Sequence, residues 1–238
     1  IIENSGFERI SSRINVDYQA KKWLKFGVNL SYANVKSRYP GDQDTDAATS
    51  SGNAFFVGNF IAPIYPMYVR NAEGQIMHDA NTGYRIYDYG DGESTNFTRN
   101  FMSMSNPMSS FLYDTEEYLM DILNGKWYAK VDILDGLSLT ASLGLHVDNT
   151  RLHIVGNKYY GQSASQNGSV QQYSSRTYSL DQQYLLTYKK AFDVHHIDIL
   201  AGYESMDYNT ESHYILGYNM YSDKNWTASN VIDRKNGS

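Results

Sequence analysis

The sequence has no cysteine among its 238 residues and only four prolines. Without thiols there is no disulfide scaffold, no zinc–thiolate site and no cysteine nucleophile. Charged residues make up 19% and the net charge is −6. That is too few cations for a surface built to neutralise phosphates, so nucleic acid is excluded as a partner. Long apolar runs are missing as well. The most apolar window, "AFFVGNFIAPIYPMYV" (54–69), is broken by Gly58, Asn59, Pro63 and Pro66 and does not suit a membrane-crossing helix. "IIENSGFERI" (1–10) lacks the basic start and apolar run of a secretory signal. A mean hydropathy of −0.54 describes a soluble protein in most cases. A membrane β-barrel is the exception, because every strand is half polar.

What is abundant is tyrosine, 22 residues, and strict alternation. In "LSLTASLGLHVD" (137–148), Leu137, Leu139, Ala141, Leu143, Leu145 and Val147 share one side. A period of two marks a strand with unlike faces. The same pattern recurs in 9–18, 25–32, 126–133, 178–188 and 196–204. The third of these extends back to near Tyr118, and no 3.6-residue period stands out anywhere. Six strands are therefore expected, near 9–18, 25–32, 118–133, 137–148, 178–188 and 196–204. Short links at 19–24, 134–136 and 189–195 alternate with long ones at 33–117 and 149–177, and a further excursion is expected over 205–238.

An alternating strand fits either a soluble sandwich or a lipid-facing wall. Three features favour lipid. The segments run longer than the usual soluble strand of about 5–6 residues. Their apolar faces end in Tyr18, Tyr32, Tyr178, Tyr188 and Tyr203, and tyrosine suits a membrane–water boundary. Long connections all fall at one end, as in outer-membrane barrels. The expected fold is thus all-β: an antiparallel up-and-down segment of a transmembrane barrel, the whole chain belonging to one barrel domain. The polar face, with Arg13, Asp17, Lys126, Lys130, Asp132, His146 and Asp148, is expected to line the lumen. A soluble carbohydrate-binding β-sandwich and a passive porin are the competing readings.

Particular stretches add a resemblance. "SGFERISSRINVDYQAKKWLKFGVNLSYAN" (5–34), "APIYPMYVRNAEG" (62–74), "NGKWYAKVDILDGLSLTASLGLHVD" (124–148) and "HHIDILAGYE" (195–204) resemble, in order, segments of the SusC/RagA family of TonB-linked outer-membrane receptors of Bacteroidetes. The resemblance implies a barrel of about 22 strands with a plugged lumen, of which this chain is about a quarter, with no counterpart of the plug. It implies import of oligosaccharides or peptides across the outer membrane, driven through TonB and assisted by a SusD-like surface lipoprotein.

Two loop stretches carry candidate chemistry. In "TGYRIYDYGDGES" (82–94), Tyr84, Tyr87 and Tyr89 stand beside Asp88 and Asp91. Rings stack on sugar C–H faces and carboxylates accept hydroxyl hydrogen bonds, so this is a candidate ligand-binding loop. The competing reading is a folded loop that packs its own tyrosines or docks on the partner lipoprotein. Asp42, Asp44 and Asp46 have the first spacings of a calcium loop, but Ala47 and Asn53 replace its glycine and its final glutamate. A solvated acidic loop is the plainer reading there. No other metal or cofactor site is expected. The sequence has neither a Gly-x-Ser-x-Gly elbow nor a Walker loop, and no enzyme activity is expected.

Overall fold

The computed structural model describes residues 3–39, 58–59, 61–90, 99, 106, 108–160 and 162–235. Seven strands form one antiparallel sheet in chain order: β1 (Gly6–Lys21), β2 (Leu24–Tyr39), β3 (Thr115–Leu134), β4 (Leu137–Gly156), β5 (Ser169–Phe192), β6 (His195–Met220) and β7 (Val231–Lys235). The one α-helix among the named elements, α1 (Met108–Tyr113), precedes β3.

Three hairpins close in two residues at what we call the lower end: Lys22–Trp23, Asp135–Gly136 and Asp193–Val194. Gly136 (φ +81°) and Asp193 (φ +50°) supply the left-handed backbone that such turns need. Gly136 also lies against the Lys189 carbonyl, where a Cβ would collide. The three long connections, 40–114, 157–168 and 221–230, are all at the upper end.

The expected strands are present but longer and one more in number. β4 runs on to Gly156 and β5 begins at Ser169, so the expected loop 149–177 shrinks to 157–168. The expected excursion after Ser205 is mostly strand, since β6 continues to Met220 and β7 pairs with its end. The reason is an inversion of polarity. Below Val147 the β4 side chains on the leucine side are apolar. Above it, the same side carries Asn149, Arg151 and His153, and Leu152 and Ile154 take the other. On β6 the change comes after Tyr203, where Ser205, Asp207, Asn209 and Glu211 follow. A search for one continuous apolar face stops where the face changes character.

Directly opposed residues in an antiparallel ladder share a face. One such row reads Tyr18, Phe26, Ala129, Ala141, Tyr184, Tyr203. Another reads Ser12, Tyr32, Leu123, Val147, Tyr178, Asn209. Aromatic rings thus lie at the upper edge of an apolar belt on β2, β5 and β6 (Tyr32, Tyr178 and Tyr203) and near its lower edge on β1 and β5 (Tyr18 and Tyr188). Among the described residues no second layer covers it, and Ile10, Ile14 and Tyr203 remain 75%, 59% and 63% exposed.

The upper edge of the belt is level on four strands, at Tyr32, Leu123, Val147 and Tyr178 of β2–β5. It lies two residues higher at Ile10 on β1, and drops six residues at Tyr203 on β6, which the ladder levels with Ala141. The β4 belt, Leu137 to Val147, has the length of about 9–11 residues that a tilted membrane strand needs.

The packed core sits outside the belt, at the upper end. Val155, Val170, Met220 and Val231 are buried together, with Trp226 against them. The 221–230 connection folds back over the strands to make this cluster; its Ala228 N–H bonds the Gln172 side chain at 2.9 Å.

Candidate functional site: a polar wall beneath a tyrosine-rich crown

All seven charged residues expected on the polar face share one face of the sheet. Arg13 and His146 lie in the row Arg13, Ser31, Asn124, His146, Ser179. Asp17 is levelled with Tyr128, Lys130 with Lys25, and Asp132 with Ser138. Lys126 and Asp148 fall on the same alternation of β3 and β4. These side chains are tied by short polar links. Arg13 Nε donates to Asn29 Oδ1 at 3.3 Å, and His146 Nδ1 meets Asn124 Oδ1 at 2.7 Å. The Tyr128 hydroxyl donates to Asp17, and Lys25 stands 3.5 Å from the same carboxylate. Lys130 pairs with Asp132 at 3.5 Å, and Thr150 Oγ1 donates to Asp148 at 2.8 Å.

The residues between them are small. Ser138, Thr140, Ser142 and Gly144 on β4 and Ser175, Thr177 and Ser179 on β5 leave the wall shallow. A groove of about 390 Å³ runs across it past Arg13, Lys126, His146 and Asp181. One Asp181 carboxylate oxygen, Oδ1, is buried there without a hydrogen-bond partner. Such an atom is costly to leave unsatisfied.

Above the wall, residues 67–88 fold into three short runs that bond to one another in a closed triangle. Val69 N–H donates to the Ile86 carbonyl, Met77 N–H to Val69, and Ile86 N–H to Met77, at 2.9–3.0 Å. Two turns connect the runs. In one, Asn71 Oδ1 accepts the Gln75 N–H at 2.8 Å. In the other, Asp79 Oδ1 accepts the N–H groups of Asn81 and Thr82 at 2.9 and 2.8 Å. These bonds to Thr82 and Asn81 hold the Asp79 carboxyl below its ordinary range.

The candidate ligand residues of this loop separate into two kinds. Tyr87 is buried, its ring 4.9 Å from that of Tyr160, 5.1 Å from Tyr68 and 6.2 Å from Tyr113. Burial, then the Tyr113 hydroxyl, pushes its own hydroxyl well up. Asp88 is buried too. Arg99 Nη2 donates to both its Oδ1 and its carbonyl at 2.9 Å, and the guanidinium lies over the Tyr65 ring. Tyr87 and Asp88 therefore form the interior of the loop, which corrects their expected place on a ligand-facing surface. A ring against rings loses no hydrogen bond, and a carboxylate can be buried beside a guanidinium. Tyr89 donates to Ser109 Oγ at 2.6 Å. Tyr84 stays at the surface, between Tyr159 (5.3 Å) and Tyr113 (5.9 Å). Asp91, and the calcium candidates Asp42, Asp44 and Asp46, lie outside the described residues.

Sequence reasoning missed Arg99, Tyr113, Tyr159 and Tyr160. The adjacent tyrosines of "NKYYG" (157–161) were the available signal, but only the fold brings them to a loop some 70 residues earlier in the chain. Among the described residues no group of three acidic or histidine side chains is arranged to hold a metal.

Comparison with known proteins agrees with this geometry. No family model matches the chain. Over 204 residues it is 25% identical to TonB-dependent receptor P3 of Formosa agariphila, covering 85% of this chain and 18% of that protein. In fold it is similar to the RagAB peptide importer. The "open-open" state aligns with a TM-score of 0.65 at 18% identity, covering 98% of this chain and 24% of that one. The "closed-closed" state aligns with a TM-score of 0.59 at 19% identity, covering 97% and 24%. The chain thus spans about a fifth to a quarter of the length of the proteins it matches.

Proposed function

This chain is SusC/RagA-like, and from that premise we propose that it supplies barrel wall and extracellular loops to an outer-membrane, TonB-dependent nutrient importer. The observation that carries the reading is an apolar belt that nothing covers among the described residues, on a single-layer sheet whose tight turns all lie at one end. A soluble sandwich requires a second sheet over that belt. A tilted strand in lipid requires nothing else.

In this reading the leucine side of the sheet faces lipid. Arg13, Asp17, Lys126, Lys130, Asp132, His146 and Asp148 face the lumen, and the lower turns face the periplasm. The shallow wall and its groove suit a packed polar plug, which offers a donor to Asp181. Ligand is captured at the upper end, where Tyr84 is exposed and Tyr89 is half-buried. Tyr87 and Asp88 act indirectly there, by holding the loop in shape. A SusD-like lipoprotein covers this end, TonB supplies the energy through the plug, and the host is a Bacteroidetes-like bacterium. The substrate is an oligosaccharide or a peptide.

Uptake by cells carrying the intact receptor tests this. Deleting the receptor gene abolishes uptake of one oligosaccharide or peptide pool, and collapsing the proton-motive force abolishes it equally. Uptake that survives the collapse makes the protein a passive porin instead.

A further inference from the structure

A second cavity lies at the upper end, away from the polar wall. It measures about 240 Å³ and is lined by the ends of β2, β4 and β6, the start of β3, Asn4, Tyr84, the end of α1, the 157–160 turn and the 221–230 connection. Its aromatic lining is Tyr84, Tyr113, Tyr159 and Trp226, and its charged lining is Arg38, Lys158 and Asp223.

Its charges are incompletely paired. Arg38 Nη2 bonds Glu117 at 2.8 Å, but Lys36 claims the same Glu117 oxygen at 3.3 Å, leaving one cation in surplus. Arg38 Nε is buried and has no hydrogen-bond partner. Trp226 lies over the guanidinium at 5.5 Å and fixes its plane. Lys158 rests over the Tyr159 ring at 5.5 Å and forms no ion pair among the described residues. Among the described residues the Asp223 carboxylate accepts from the Tyr159 hydroxyl alone, at a long 3.5 Å, while its carbonyl accepts the Trp226 indole N–H at 3.3 Å. The lining therefore presents a surplus cation at Arg38, an ammonium, a carboxylate and several rings around a volume near that of one sugar ring.

The position is equally specific. Arg38, Thr115 and Val155 fall on the same alternation as the apolar belt. Arg38 is six residues beyond Tyr32, about 20 Å of strand above the belt's edge. This is the outer flank of the wall, above the level of lipid, and not its polar face.

We propose that this cavity binds one ring of an acidic saccharide, with the acid beside the Arg38 guanidinium and Lys158, hydroxyl groups on Asp223, and the ring against Tyr159 and Trp226. A carboxylate compensates the surplus charge, whereas a neutral sugar leaves it unmet. Such a ring comes either from a surface glycolipid beside the receptor or from a free acidic glycan.

The test uses the full receptor in detergent, with galacturonate, galactose and triglutamate as probes in equilibrium dialysis. Galacturonate binds about tenfold tighter than galactose, Arg38→Gln and Lys158→Gln each narrow that gap, and Tyr159→Leu weakens both sugars. Lys158→Gln removes a charge from a partly exposed side chain, so it stays informative if the Arg38 variant fails to fold. Equal binding of the two sugars, no binding of either, or triglutamate competing as well as galacturonate overturns the proposal. Mass spectrometry of glycolipid retained from native outer membranes separates the sources. Retention lost with Arg38→Gln identifies the surface glycolipid. Unchanged retention alongside lost galacturonate binding identifies the free glycan. Either result supports the site, and neither depends on what the receptor imports.

Discussion

At the scale of single residues, the upper loop depends on two carboxylates used in opposite ways. Asp88 and Arg99 are a buried pair, their side chains 3% and 2% exposed. Removing one partner strands the other charge in the interior, at about 3–5 kcal/mol. Arg99→Leu is therefore expected to open the 61–90 loop, read as lost amide-exchange protection in that segment, with the sheet unaffected. Asp79 is exposed and acts through its turn. Its pKa is lowered, so its contribution is complete above the unfolded carboxylate range and is lost as pH falls through the lower folded value. Amide exchange at Asn81 and Thr82, corrected for its intrinsic rate, is expected to rise below about pH 4. In Asp79→Asn that rise is expected to be absent. Gly136 is constrained at the opposite end. Its φ of +81° and its contact with the Lys189 carbonyl make Gly136→Val costly by roughly 1–3 kcal/mol, measured as a lowered thermal midpoint of the folded receptor on a gel-shift assay. The "LDG" turn was legible in the sequence because glycine at that place has one main use. The Asp88–Arg99 pair was not, because its members stand eleven positions apart in the sequence and no local pattern relates them.

At the scale of elements, the strands were legible as far as one environment acts on them. Between Leu137 and Val147 the alternation is complete, and in the proposed reading lipid fixes that period. Beyond Asn149 the strand continues because its ladder to β5 does, residue by residue to Gly156. Backbone hydrogen bonds are indifferent to side-chain polarity, so the upper halves of β4, β5 and β6 left no uniform signal. The same distinction gives a prediction within one strand. Leu143 lies near the middle of the belt, and Ser142 on the polar face. Leu143→Lys is expected to destabilise the folded receptor by about 2–4 kcal/mol, and Ser142→Lys by far less. Reversible unfolding in detergent or lipid vesicles compares the two. Equal costs argue that both faces meet the same medium.

At the scale of the molecule, seven strands in one layer leave two edges. Along β1 and along the lower part of β6, backbone groups have no partner strand among the described residues. Lipid offers such groups nothing, so a membrane sheet of this kind exists only as part of a closed wall. Composition could not reveal this, because which residues share a level is fixed only once register aligns the strands.

The central claim is that the leucine side of this sheet meets lipid and the opposite side meets water. A chain without cysteine suits site-directed labelling: nitroxide side chains placed one at a time from Leu137 to Asp148, in the intact receptor with any other cysteines removed, in a lipid bilayer. The account predicts that accessibility to oxygen, which concentrates in lipid, peaks at 139, 143, 145 and 147. Accessibility to a water-soluble nickel chelate is low at those positions and remains low or rises only at 138, 140, 146 and 148. If the odd positions are closed to oxygen, as in a packed protein interior, or open to the nickel chelate, the leucine side does not face lipid and the barrel reading fails.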